Sequence, residues 1–149
     1  MSSRSESAPD VGKLARAQVE SLRDSRVRLR VDNIGDMRVR GDEDWLGRAI
    51  GNLVDNALFH SPADEKVELE IRRAADGVVV SVENLGTIPD HLKSRLFRRF
   101  VTTRSDKGGT GLGLAIVRAV AEAHGGRAEL AEPGPPRVVF RVVLPPARS

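Results

Sequence analysis

Gly108, Gly109, Gly111 and Gly113 fall within six residues and run directly into an apolar helical stretch. Lys107 to Gly126 reads KGGTGLGLAIVRAVAEAHGG, and Leu112, Leu114, Ala115, Ile116, Val117, Ala119, Val120 and Ala123 supply the apolar positions. Glycine lets backbone N–H groups approach a ligand closely. A helix N-terminus adds unpaired donors and partial positive charge. The combination suits phosphate oxygens; a flexible loop ahead of an amphipathic core helix is the plainer alternative. The spacing is neither the dinucleotide fingerprint in its strand context nor the phosphate loop ending Gly-Lys-Ser/Thr. A second pair of residues stands upstream. Asn52 and Asn56 are four apart, so on a helix they share one face. Asparagine is a poor interior helix residue unless its amide is used. Its side-chain oxygen suits magnesium, a hard cation that is shared with phosphates. A solvated face or a core amide network is the alternative.

The elements that must carry these residues follow from periodicity. Asp42 to His60 is predicted as a helix: Trp45, Leu46, Ala49, Ile50, Leu53, Val54, Ala57 and Leu58 form its apolar face. Asp42, Glu43 and Asp44 give it a cap and an acidic first turn. Asp10 to Leu22 shows the same spacing, with Asp10 as cap. Val27, Leu29 and Val31 alternate with arginines as a half-buried strand, and Met37 and Val39 suggest a short edge strand. Val67, Leu69 and Ile71, then Val78, Val80 and Val82, make a hairpin across Asp76-Gly77. His91 to Phe100 reads as a short helical piece and Val101 to Lys107 as a polar lid. Gly125 and Gly126 close the last helix. Arg127 to Ala131 and Val138 to Leu144 form a second hairpin around Pro133 to Pro136, ended by Pro145. In it Val138, Phe140 and Val142 share one face, and Val139, Arg141 and Val143 the other. The expected architecture is an α/β (α+β) two-layer sandwich, with three main helices on one face of a mixed, largely antiparallel sheet. Residues 10–145 form the single domain, 1–9 a disordered start or added remnant, and 146–149 a tail.

Composition narrows the function. A chain of 149 residues supports one good core. It has no cysteine, which removes disulfides, thiolate metal sites and a thiol nucleophile. No apolar run is long enough to cross a bilayer, and the N-terminus has no apolar signal core. The net charge of +3 is spread among neighbouring acids, and aromatics are 3% with no tyrosine. Stacking platforms for bases are therefore absent, and neither nucleic-acid binding nor membrane contact by this domain is expected.

Gly109-Thr110-Gly111-Leu112-Gly113-Leu114 resembles the second glycine box of the histidine-kinase catalytic domain, a member of the Bergerat-fold ATPase and kinase superfamily. Asn52-Leu53-Val54-Asp55-Asn56-Ala57 resembles its asparagine box. The resemblance implies ATP and Mg2+ as cofactors, Asn56 as the metal ligand and Asn52 lining the phosphate pocket. The family often has Lys-Tyr where Phe59 and His60 stand. His60 is then either a substitute donor to the ligand or a structural helix-end histidine. Glu83-Asn84-Leu85-Gly86-Thr87-Ile88-Pro89 lies where the first glycine box, Asp-x-Gly-x-Gly-Ile-Pro, is expected. Matching Ile88-Pro89 puts Glu83 at the adenine-reading carboxylate and Gly86, Thr87 and Ile88 along the purine; Leu85 and Thr87 replace both glycines. Phe97-Arg98-Arg99-Phe100 resembles the phenylalanine box, and Thr102-Thr103-Arg104 a Thr-Thr-Lys lid. The resemblance implies that Phe100, Thr102 and Thr103 border the nucleotide. Arg99, Arg104 or Lys107 would neutralise its phosphates, with a solvated lid charge as the alternative for each. It spans Leu14 to Pro145.

One position separates the reactions of that superfamily. Hydrolysing members carry a glutamate four residues before the metal asparagine, where it polarises water. Here that position is Asn52, which cannot take a proton, and Asp55 points about 100° away on a helix. Phosphoryl transfer to an imidazole needs no such base. The resemblance thus implies a histidine kinase with Asn52, Asn56, Arg99 and Arg104 in the catalytic set. His60, His91 and His124 are the only histidines, and none lies in the family's acceptor motif. The implied partners are a phosphoacceptor-histidine dimerisation domain, upstream on a longer chain or in trans, and indirectly a response regulator. The domain itself would be monomeric and cytoplasmic, the inner part of a membrane-anchored bacterial sensor. Two other readings stay open. One is a degenerate nucleotide module that signals by contact. The other is an anti-sigma-factor-type serine kinase, disfavoured because Asn52 replaces its base.

Overall fold

Strands and helices alternate along the chain in the computed structural model, which describes residues 8–32, 35–93, 95–97 and 113–147. Helix α1 spans Val11–Leu22, and Asp10 caps it by accepting from Lys13 N at 3.1 Å. Strand β1 is Val27–Val31 and helix α2 is Glu43–His60. Asp42 caps α2, accepting from Asp44 N at 2.9 Å and Trp45 N at 3.1 Å, as the acidic start of that helix predicts. Strands β2 (Val67–Ala74) and β3 (Gly77–Leu85) form the first hairpin. Helix α3 is Asp90–Lys93, helix α4 is Gly113–Ala123, and β4 (Arg127–Pro133) and β5 (Arg137–Leu144) form the second hairpin.

The strands make one sheet in the order β1-β2-β3-β5-β4. The β1–β2 pair is parallel and the others are antiparallel, so the sheet is mixed and largely antiparallel. Strict alternation sends one set of side chains to one face. Leu69, Ile71, Val78, Val80, Val82, Phe140 and Val142 lie beneath the helices. They pack against Ile50, Leu53, Val54 and Ala57 of α2, Val117 and Val120 of α4, and Val11 and Ala15 of α1. Full burial of each such side chain is worth about 1.5–3 kcal/mol, so this layer is the main source of stability. The other face carries charge. Arg137 pairs with Glu83 at 2.7 Å, Arg127 with Glu129 at 3.1 Å and Arg30 with Glu70 at 3.9 Å.

Three expectations change. Met37 and Val39 do not form a ladder strand. They flank a single bridge between Asp10 and Arg38, made by Val11 N to Met37 O (3.0 Å) and Val39 N to Pro9 O (3.1 Å). Ala147 N also donates to Arg38 O at 3.0 Å, so both ends of the described chain meet this stretch. Trp45 is 48% exposed rather than part of the apolar face, and the Arg48 guanidinium lies 5.4 Å from its ring centre. It sits at the margin of the stripe, where a cation–π contact covers it. The helix expected over His91–Phe100 is shorter: α3 ends at Lys93, residues 95–97 form a turn, and 98–100 lie outside the described residues. Among the described residues no helix is long and apolar enough to cross a membrane.

Candidate functional site

Helix α2 carries Asn52 and Asn56 half-buried, while Asp55 between them is exposed. The helical repeat alone produces that split. Asn52 Nδ2 donates to Gly113 O, the first carbonyl of α4, at 3.5 Å. The asparagine helix and the end of the glycine stretch are therefore brought together, as their chemistry requires. Among the described residues the Asn56 side chain makes no hydrogen bond or ion pair. Its amide oxygen is a neutral, hard donor on the same face, which fits a magnesium ion. His60, one turn further, packs edge-on against Phe59 with ring centres 5.0 Å apart.

Gly113 and Leu114 begin α4, and Leu114 packs against the core. The first described turn of α4 therefore lies beside Asn52. Gly109, Thr110, Gly111 and Leu112 lie outside the described residues, as do Arg99, Phe100, Thr102, Thr103, Arg104 and Lys107. Phe97 is described: it makes an edge-to-face contact with Phe140 at 5.8 Å, and Leu96 beside it is buried.

The far ends of α2 and α4 are tied by His124. Asp42 N donates to His124 Nε2 at 3.1 Å, and His124 Nδ1 donates to Val120 O at 2.8 Å. A backbone N–H can only donate and a carbonyl can only accept, so the partners assign the ring hydrogen to Nδ1. His124 is structural, as its place at a helix end implies.

Glu83 requires a correction. It points to the sheet face away from the helices, where its carboxylate meets Arg137 Nη1 at 2.7 Å. Asn84 takes the inner face in phase with Val78, Val80 and Val82 and is 2% exposed. Its Nδ2 donates to Leu85 O at 2.8 Å. An amide whose nitrogen is spent on backbone offers its oxygen as an acceptor. Glu83, matched to the adenine-reading carboxylate by counting back from Ile88-Pro89, therefore faces away from the side that carries Asn52 and Asn56. The signal was in the sequence: Asn84 continues the Val78, Val80, Val82 alternation and Glu83 breaks it.

After β3 the chain is held against the segment that joins β4 and β5. Gly86 N donates to Pro136 O at 2.9 Å and Ile88 N to Pro133 O at 2.7 Å. Thr87 is exposed and Ile88 half-buried against the core. Together α2, the start of α4 and the end of β3 supply amide oxygens and helix-end donors on one side of the sheet.

Comparison with known proteins agrees with this arrangement. The family described as histidine kinase-, DNA gyrase B-, and HSP90-like ATPase matches residues 41–148. The sensor protein DivL of Caulobacter vibrioides is 40% identical over 127 residues, which cover 81% of this chain and 16% of DivL. A nucleotide-free catalytic domain of the histidine kinase ThkA superimposes with a TM-score of 0.76 at 32% identity, over 93% of this chain and 94% of that one. Full-length ShkA in complex with AMPPNP gives a TM-score of 0.74 at 26% identity, over 96% of this chain and 32% of ShkA. The chain spans between 16% and 29% of the length of the curated relatives it matches.

Proposed function

The chain belongs to the histidine kinase-, DNA gyrase B- and HSP90-like ATPase family, whose domain binds ATP, and on that premise we propose that it positions Mg-ATP for γ-phosphoryl transfer to a histidine on a separate dimerisation domain. The observation that carries this reading is the asparagine pair: Asn52 is bonded to Gly113 of α4, and Asn56, one turn along the same helix, has no side-chain partner among the described residues.

Each described residue has a distinct task. Asn56 Oδ1 would hold magnesium, which would supply charge neutralisation at the phosphates. Asn52 ties α2 to the N-terminal turn of α4, so that the N–H groups there face the phosphates. Asn84 accepts from the purine amino group at the opposite end of the nucleotide. Gly109, Thr110, Gly111, Leu112, Arg99, Phe100, Thr102, Thr103, Arg104 and Lys107 remain assigned by resemblance to the phosphate loop and lid.

Asn52 also decides the reaction. It has no group that takes a proton, and Asp55 is exposed on another side of the helix. Water is therefore left without a general base, whereas an incoming imidazole is already nucleophilic at neutral pH. Catalysis then rests on positioning and electrostatics. A phosphoacceptor domain, a downstream response regulator and a cytoplasmic location complete the proposal. Incubating the chain with γ-labelled ATP and a two-helix phosphoacceptor domain supplied in trans tests it. Acid-labile, base-stable label on the acceptor is expected. ATP binding without transfer to any acceptor would favour a contact-signalling module, for which Leu85 and Thr87 in place of glycines are the supporting residues.

A further inference from the structure

The segment Gly86–Ile88 keeps one glycine, Gly86 at φ +153, with Leu85 and Thr87 where the family loop has its two, yet its path is fixed. The restraint comes from the turn between β4 and β5. Gly86 N and Ile88 N are both spent on that turn, on Pro136 O at 2.9 Å and Pro133 O at 2.7 Å. Gly134 sits at its apex with φ +74, a conformation that favours glycine. A Cβ placed on Gly134 would overlap the Gly86 carbonyl and lie 3.0 Å from Thr87 Cα. Turn and loop are thus in backbone contact. Pro133, Pro135 and Pro136 stiffen the turn by fixing their φ angles. At its base Asn84 pairs in register with Val138, and Arg137 bonds Glu83 at 2.7 Å on the outer face.

We propose that the β4–β5 turn, residues 133–136 with Gly134 at its centre, is a positioning element for the purine end of the nucleotide site. It sets where Gly86, Thr87 and Ile88 lie, and through the last pairs of β3 and β5 it fixes Asn84. The turn does from outside what two glycines would otherwise do within the loop: it holds the backbone open to a flat ring. The proposal rests on the nucleotide-binding reading above.

The consequence is a split in affinity. Disturbing the turn should weaken contacts with the base and leave contacts with the phosphates intact. Two variants disturb it in opposite ways. Gly134→Ala inserts a methyl group against Gly86 O. The double variant Pro135→Gly, Pro136→Gly inserts nothing and only loosens the turn, so it keeps the test valid where the first fails to fold. Thermal melts establish which variants are folded. Magnesium-containing calorimetric titrations then compare ATP, GTP and inorganic triphosphate.

The expected result is ATP binding weaker by about tenfold in Gly134→Ala and about threefold in the proline double variant, the size of one lost or loosened hydrogen bond. Triphosphate affinity stays at the wild-type value, and the preference for ATP over GTP falls in the same order. ATP affinity and ATP-over-GTP preference unchanged in a folded variant would overturn the proposal while leaving nucleotide binding intact. Parallel loss of ATP and triphosphate would also overturn it, since a general structural effect moves both. A wild-type chain that binds none of the three overturns the nucleotide reading itself, and this proposal with it.

Discussion

Glu83 and Asn84 are consecutive in the chain and stand on opposite faces of β3, the first paired with Arg137 on the open face and the second buried beneath the helical layer. Only Asn84 is on the side that Asn52 and Asn56 occupy. Asn84→Ala should therefore weaken ATP binding about tenfold, the effect of removing one buried hydrogen bond. Glu83→Gln breaks a partly exposed ion pair and should change affinity by less than about threefold. Calorimetric titration of both variants separates the two, and the opposite ranking would restore Glu83 to the purine.

His124 gives a prediction about stability. Its ring joins the first turn of α2 to the last turn of α4 through bonds of 3.1 and 2.8 Å. Gly41 leaves room for it, since a Cβ there would overlap the imidazole. His124→Ala should cost about 1–2 kcal/mol by urea unfolding, because the Asp42 N–H loses its partner. A folded His124→Ala protein should still bind ATP, since the ring lies at the end of the helices away from Asn56.

Acid should loosen the stretch where the chain ends meet only at low pH. The Arg38 side chain and backbone N–H both bond the Asp36 carboxylate, which holds its pKa down at about 2. The sign follows from the direction of the shift. A depressed carboxylate contributes stability that is fully present above its ordinary value of 3.8 and is lost as pH falls through about 2. The Asp36–Arg38 turn presents Arg38 O to Ala147 N, so loss of the pair should loosen that contact. NMR titration of the Asp36 carboxyl should give a midpoint well below that of an unpaired aspartate. In Asp36→Asn the acid unfolding limb should shift upward in pH from its position in the parent chain.

Much of this was legible in the sequence because it rests on short-range rules. The caps at Asp10 and Asp42, both hairpins and the inward alternation of Val78, Val80 and Val82 are local patterns, and the structure has each. The asparagine pair was legible because four-residue spacing on a helix forces a shared face. The contact between Asn52 and Gly113 joins residues 61 positions apart, and only the packing of α4 on α2 supplies it. Glu83 was matched through an outside landmark, Ile88-Pro89, whereas the strand's own two-residue period sends Glu83 outward and Asn84 inward. The grip of the β4–β5 turn on Gly86 and Ile88 has no sequence signature, since it consists of backbone groups from segments that only the sheet order brings together.

The central claim is that the side-chain amide of Asn56 is a magnesium ligand in a nucleotide site. Titration of ATP against this chain and Asn56→Ala, each with and without magnesium, tests it most directly. The account predicts that magnesium strengthens ATP binding to the parent chain, and that Asn56→Ala binds with or without magnesium as weakly as the parent chain does without it. Equal affinity with and without magnesium, an Asn56→Ala protein that behaves like its parent, or no binding at ~1 mM ATP, where even a millimolar site would be half filled, would contradict it.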